Sequence, residues 1–244
     1  MGKEIILRTN NVKKTFPGVV ALNNINLKFC AGEVHAIIGE NGAGKSTLMN
    51  VLSGVYMPDN GSEVFYKEKK VEFKSTADAA ACGIAMIHQE NSLVQHLTVY
   101  ENIFLGHFLK KGRFLDKDAM KKSTKKLLEK MKIGWIKPET FVKDLTSSEQ
   151  QLIEIAKALS RNPETIIFDE PTASLTVREA DILMDLIREL KAKNAAIVFI
   201  SHQLEELFEI ADVISVLRDG EYVGTYKTAE INTQKLISLM VGRE

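Results

Sequence analysis

The sequence predicts an α/β fold with a mostly parallel sheet, an N-terminal antiparallel β flank and an inserted helical subdomain. Three observations carry this. Several apolar runs are nearly unbroken, a helical periodicity separates two of them, and a central stretch turns wholly helical. The 244 residues suit one large α/β domain or a core with an insertion, and 45% hydrophobic with 26% charged residues excludes wholesale disorder.

The unbroken runs are Glu33–Ile38, Gly83–Ile87, Thr165–Phe168, Ala195–Ile200 and Val213–Leu217, the pattern of strands covered on both faces. Ile5–Arg8, Ile25–Phe29, Val64–Lys67 and Val71–Lys74 read as shorter, half-exposed strands of the antiparallel flank. After Thr176, with Glu179 completing a capping box, apolar residues recur at Ala180, Leu183, Met184, Ile187 and Leu190. From Ser92 to Arg161 three helices are expected. Val99–Leu105 opens on a Thr98/Glu101 box, and Asp116–Met131 carries Leu127, Leu128 and Met131 on one side. Gln150–Ser160 follows a cap-like cluster. Lys121, Lys122, Lys125 and Lys126 are best read as a solvated face. The α/β core is placed at about 1–91 and 162–244 and the helical subdomain at about 92–161, within one domain of 1–244.

Thirty-two basic residues balance thirty-two acidic ones, which argues against binding nucleic acid by bulk charge. Cys30 and Cys82 stand far apart, with neither zinc-ligand nor disulfide spacing, and suit a reducing cytosol. Ala79–Ile87 and Ala195–Ile200 fall short of the ~20 apolar residues of a spanning helix. Met1–Asn10 is charged where a signal peptide is apolar. A soluble chain is expected, reaching a membrane only through a partner.

Gly39-Glu40-Asn41-Gly42-Ala43-Gly44-Lys45-Ser46 fits G-x-x-x-x-G-K-[ST]. Glycines let the backbone turn its N–H groups onto a phosphate, and the helix beginning near Lys45 adds its positive end. The strand Val34–Ile38 before and the helical run Ser46–Leu52 after supply the required context. Lys45 would reach the β- and γ-phosphates, and Ser46 would ligate magnesium. Ile166–Phe168 ends in Asp169 and Glu170. One carboxylate there can hold magnesium through water, and the other can orient or deprotonate an attacking water.

With these residues in place, the sequence resembles the ATP-binding subunits of ABC transporters, P-loop NTPases, over nearly the whole chain. The resemblance implies further roles. Gln89 matches the glutamine loop that touches magnesium or the attacking water. Ser174-Leu175-Thr176 matches the D-loop, His202 the switch histidine that contacts the γ-phosphate, and Phe16 the aromatic residue that stacks on adenine. The catalytic set is then Glu170, His202 and Gln89. Phe16 and the loop Gly39–Thr47 bind ATP, and Ser46, Gln89 and Asp169 bind Mg2+. The family signature, usually L-S-G-G-Q, departs here to Leu145-Thr146-Ser147-Ser148-Glu149-Gln150. That motif meets the γ-phosphate held by the opposite subunit. A side chain at Ser148 and a charge at Glu149 should weaken this contact, unless Ser147 or Ser148 replaces glycine at little loss.

Within the family, Phe16–Leu22, Gly39–Met49, His88-Gln89-Glu90, Glu154–Ala158 and Met240-Val241-Gly242-Arg243 resemble monosaccharide importers of the ribose and galactose type. Two ATP-binding halves are fused in such proteins, and this chain resembles the first. The resemblance implies a sugar importer on the cytoplasmic face of the membrane. Its partners would be a second ATP-binding domain, transmembrane permease subunits and, indirectly, a periplasmic or extracellular sugar-binding protein, with no nucleic acid. Glu90–Leu97 is the expected permease-docking segment, although Leu93, Val94 and Leu97 suit helix packing equally. The rivals are a soluble ABC ATPase acting on nucleic acid or ribosomes and a nucleotide-binding module that hydrolyses nothing. No heptad array or zinc cysteines lie between Gln89 and Leu145, which disfavours the DNA-repair versions.

Overall fold

A computed structural model describes residues 3–87 and 92–242. In chain order the elements are β1 (Ile5–Asn10), β2 (Val12–Phe16), β3 (Val19–Ile25), β4 (Lys28–Cys30), β5 (Glu33–Ile38), α1 (Lys45–Leu52), β6 (Glu63–Tyr66), β7 (Lys69–Val71), α2 (Thr76–Ala81) and β8 (Ile84–Ile87). They continue as α3 (Val99–Ile103), β9 (Lys110–Lys111), β10 (Phe114–Leu115), α4 (Lys117–Lys130), α5 (Ser147–Leu159), β11 (Thr165–Asp169), α6 (Val177–Ala192), β12 (Ala196–Ile200), α7 (Leu204–Ile210), β13 (Val213–Arg218), β14 (Glu221–Lys227) and α8 (Thr233–Val241).

The main sheet runs β2-β3-β14-β13-β5-β12-β11-β8. Its parallel centre, β13-β5-β12-β11, is built from the apolar runs, and every residue of β12 is buried. β1, β4, β6 and β7 form a separate antiparallel sheet, as expected of the flank. Within the flank, Ile25–Phe29 is not one strand. β3 ends at Ile25 in the main sheet and β4 begins at Lys28 in the small one, so the chain changes sheets at Asn26–Leu27. Asn26 stabilises that crossing, accepting from the Asn11 N–H at 2.8 Å and donating to the Asn24 carbonyl at 2.9 Å. The run read as Val71–Lys74 pairs earlier, as Lys69–Val71 against β6.

The three capping boxes form. Thr98 N–H donates to Glu101 at 3.0 Å, Thr176 N–H to Glu179 at 2.9 Å, and Thr146 N–H to Glu149 at 3.0 Å. The last starts α5 at Ser147, three residues before the sequence expectation.

The chain divides into two compact units. Unit 1 comprises Met1–Met86, Pro163–Glu170 and Ile187–Glu244, and unit 2 comprises Ile87–Asn162 and Pro171–Leu186. The stretch Pro171–Leu186 thus groups with the helical part rather than with the core. Side-chain bonds from Ser148 to Glu179 and from Lys132 to Asp185 tie it there. In unit 1 the core gathers Leu48, Met49 and Leu52 of α1 with Ile167, Val198 and Ile200 of the sheet, all almost wholly buried.

Candidate nucleotide site

Parallel register brings the candidate residues of unit 1 to one sheet edge. Ile37 of β5 pairs with Ile200 of β12, and Ile200 pairs with Asp169 of β11. The loop after β5, the Ser201–His202 turn and the Asp169–Glu170 pair therefore leave the sheet side by side. Ligand crevices in open α/β sheets lie at these carboxyl ends.

The loop Gly39–Gly44 holds its shape for steric reasons. Gly44 is left-handed at φ 96°, and a Cβ there would lie 2.5 Å from the Ala21 carbonyl oxygen. A Cβ on Gly39 would collide with the Leu217 carbonyl oxygen. α1 then starts at Lys45, so the free N–H groups of its first turn lie at the loop, an arrangement suited to an oxyanion. Lys45 Nζ donates to the carbonyls of Gly39 at 2.8 Å and Glu40 at 3.1 Å. Burial pushes the Lys45 ammonium below its usual range, and the Glu170 and Asp169 carboxylates oppose that shift. An anion seated in the loop would favour the charged lysine further.

Glu170 holds a left-handed backbone at φ 48°, unusual for a residue other than glycine, asparagine or aspartate. Its N–H donates to the Ile200 carbonyl at 2.9 Å, which extends the β11–β12 ladder beyond Asp169. Its Oε2 lies 3.4 Å from His202 Nδ1. The His202 turn is tied from below by buried Ser201, which donates to Glu206 at 2.6 Å and accepts from the Gln203 N–H at 3.0 Å. Strain of this kind concentrates where a side chain must be aimed. Here it aims the Glu170 carboxylate at the histidine.

Phe16 ends β2 and meets Tyr56 edge-on, with ring centroids 5.4 Å apart at 74°. Lys14 Nζ stands 5.5 Å from the Phe16 ring and donates to the Met57 carbonyl at 2.8 Å. The aromatic neighbour Tyr56 was missed in the sequence, because forty residues separate it from Phe16 and no short motif joins them. Gln89 lies outside the described residues.

Unit 2 carries the altered signature. The Glu149 carboxylate accepts from the N–H and hydroxyl of Thr146 at 3.0 and 3.2 Å, and Thr146 Oγ1 accepts from the Glu149 N–H at 3.2 Å. Ser148 Oγ donates to Glu179 Oε1 at 3.0 Å, while the other oxygen of Glu179 caps α6 through Thr176. Hydrogen bonds from Thr176 and Ser148 outweigh desolvation and hold the Glu179 carboxyl below its usual range. Thus the start of α5 is already engaged by two carboxylates of its own unit. The sequence marked a cap-like cluster here but took Glu149 as a repulsive charge; its carboxylate is the capping group itself.

In the candidate docking segment, Glu90 and Asn91 lie outside the described residues; Leu93 is buried, Leu97 half-buried and Val94 exposed, so helix packing suits Leu93 and not Val94. A residue missed altogether is Asn102, fully buried. It accepts from the Val94 N–H at 2.8 Å and donates to the carbonyls of Val94, Leu97 and Thr98 at 3.0, 3.3 and 3.1 Å.

A glycine loop between a buried strand and a helix, with an acid-tipped strand two places along the same parallel sheet, defines an α/β P-loop domain built to hold phosphate. The chain belongs to the ABC transporter family, whose model matches residues 22–173. It is 45% identical over 241 residues to the galactose/methyl galactoside import ATP-binding protein of Yersinia pestis, covering 99% of this chain and 47% of that protein. It is 44% identical over 240 residues to the protein of the same name in Escherichia coli, covering 98% and 47%. The chain therefore spans about half the length of the curated relatives it matches. Among solved structures it superposes on an ATP-binding cassette of an ABC transporter in its ADP conformation, with a TM-score of 0.83 and 28% identity over 98% of this chain and 99% of that one. A dimeric cassette in a post-hydrolysis state, bound to ADP and Pi, matches with a TM-score of 0.80 and 25% identity over 91% and 99%.

Proposed function

We propose that the chain binds and hydrolyses ATP as the first of two ATP-binding domains in an importer for a monosaccharide. The observation that carries this is the convergence of the Gly39–Thr47 loop, Asp169, Glu170 and His202 at one edge of the parallel sheet. The import names of relatives more than 40% identical support the cargo class and a permease partner in the membrane. Their doubled length supports a second, fused ATP-binding half. Among the described residues no helix is long and apolar enough to cross a membrane, so the bilayer-spanning part would belong to the permease. We place the chain on its cytoplasmic face.

Phosphoryl transfer asks a protein for positioning and charge stabilisation. The backbone of Gly42–Thr47 and Lys45 would hold the phosphates, with Phe16 against the adenine face. Glu170 would orient and deprotonate the attacking water, and His202 would contact the γ-phosphate. The donors present fit Mg2+: the Ser46 hydroxyl and the Asp169 carboxylate are hard oxygens, and a magnesium site uses few protein ligands beside phosphate and water. Gln89 is the third ligand proposed from its motif. When bound, the ion would neutralise charge on the β- and γ-phosphates. The engaged α5 start supports unequal sites, with this chain lending its Lys45–Glu170 site to an intact signature on the second half.

Glu170→Gln in the full transporter tests the reading. Hydrolysis should fall at least ~100-fold, the order lost with a general base, while MgATP still binds. Retention of most turnover would refute it.

A further inference from the structure

Between Phe108 and Lys130 nine of twenty-three residues are lysine or arginine and three are acids, a net +6 in a chain whose formal charge is zero. The segment begins with the hairpin β9–β10, in which Lys111 faces Phe114 and Lys110 faces Leu115 across a turn at Gly112-Arg113. The Asp116 N–H closes its base on the Leu109 carbonyl at 2.9 Å. All six hairpin residues are exposed, and Phe114 is 81% exposed, the most open aromatic side chain among the described residues. No ion pair to Lys110, Lys111 or Arg113 occurs among the described residues. α4 follows directly. It buries Met120, Thr124 and Leu128 and turns Lys122 and Lys126 to solvent.

We infer that this hairpin, with the lysine face of α4, is a docking surface for an anionic lipid bilayer. Two features together select that partner. On α4, Lys121 and Lys125 lie near Glu139 and Glu129 at 3.6 and 4.0 Å, but the segment keeps its net positive charge. The hairpin cations, which have no ion pair among the described residues, match acidic headgroups that attract basic segments within a Debye length. The uncovered Phe114 and Leu115 beside those cations suit the boundary between headgroups and acyl chains, where an aromatic ring and an aliphatic side chain leave water. The described hairpin offers a single aromatic ring, whereas nucleic acid that is bound without sequence preference is held on several stacked rings. Since the whole chain is neutral, the residues outside this segment sum to a net negative charge that the same headgroups repel, which favours presenting this face to the bilayer. The surface would hold unit 2 against the membrane beside the permease. The inference rests on the reading of the chain as a membrane transporter's ATPase.

Co-sedimentation tests it directly: the chain is mixed with vesicles of pure phosphatidylcholine or with vesicles containing 30% phosphatidylglycerol, a composition set by the experimenter at roughly the anionic content that supports such binding. Binding should be at least about tenfold tighter to the anionic vesicles and should be lost as salt approaches ~0.5 M. The Lys110→Glu/Lys111→Glu/Arg113→Glu variant should lose this preference. Phe114→Ser should weaken it several-fold while leaving its salt dependence. A fluorescent ATP analogue titrated into the same samples shows that each variant is folded and reports separately on the ATPase reading. Equal binding to both vesicle types, an unchanged charge-reversed variant, or displacement of the chain from anionic vesicles by single-stranded RNA would each overturn the inference. Normal nucleotide binding with no vesicle binding would overturn it and leave the proposed function standing.

Discussion

His35 gives a prediction in which sign and size both follow from the structure. It lies in β5, 2% exposed, with its ring against Phe29 at 4.9 Å between centroids. Nδ1 faces the Lys28 carbonyl at 3.1 Å and must donate to it, which leaves Nε2 to accept from Ser215 Oγ at 2.6 Å. Ser215 then accepts from Thr225 at 2.6 Å, and Thr225 from the Tyr222 hydroxyl at 2.9 Å. The chain of hydroxyls runs one way only while the imidazole is neutral. Protonation of Nε2 would reverse it and place a charge in the core. Glu33 is the nearest carboxylate, at 3.9 Å from Nδ1. Burial dominates, and the His35 pKa falls to about 4 from an ordinary 6.5. In the unfolded chain the same histidine takes up its proton near its ordinary value. The neutral form thus contributes its full stability above about pH 6.5, and that contribution disappears as pH falls toward 4. A shift of that size corresponds to about 3 kcal/mol. Urea unfolding followed at steps between neutral and acid pH, on the natural chain and on His35→Gln, isolates it. The natural chain should lose about 3 kcal/mol more than the variant over that window. Parallel losses would show that the ring is protonated in the folded state and refute the argument.

Two further outcomes are expected. Gly44→Ala must hold a left-handed backbone with its methyl against the Ala21 carbonyl. It should weaken nucleotide binding at least ~10-fold in a fluorescent-analogue titration, because the loop has to open to relieve the contact. Asn102→Ala strips four hydrogen bonds from a buried turn and should cost about 2–4 kcal/mol in unfolding free energy. Faster amide exchange at Val94 should accompany that loss.

The parallel centre of the sheet was legible because strands covered on both faces leave unbroken apolar runs, and β5, β11, β12 and β13 are such strands. β2, β3 and β14 were not. β2 buries only Val12, β3 only Leu22 and Ile25, and β14 no residue, so lysines in β2, asparagines in β3 and Gly224 in β14 mask the two-residue alternation. The phosphate loop was legible because a backbone that tolerates no Cβ writes its need as glycine. Glu170 hid the opposite fact. Its left-handed backbone accompanies a bond to the Ile200 carbonyl on the next strand, and no residue choice at position 170 announces it. Tyr56 beside Phe16 and Asn102 beneath Val94 were hidden for the same reason, since contacts across the chain leave no local signature.

The altered signature shows how one local rule can be read in two ways. Thr-x-x-Glu announces a helix start at Thr98 and at Thr176, and Thr146-Ser147-Ser148-Glu149 has the same spacing. Compared with a motif that presents open amides to a phosphate, it looks like damage. The structure makes it a cap: the carboxylate that would repel a polyanion is spent on the Thr146 N–H and hydroxyl, and Ser148 is turned toward Glu179. A phosphate approaching this helix would have to displace one carboxylate and face a second. The same bonds that fix α5 place carboxylates where an anion would approach, so on the proposed reading the stability of the helix and a weakened contact would have one cause. That coupling would let a strongly formed helix stand behind a signature that departs from the motif it resembles.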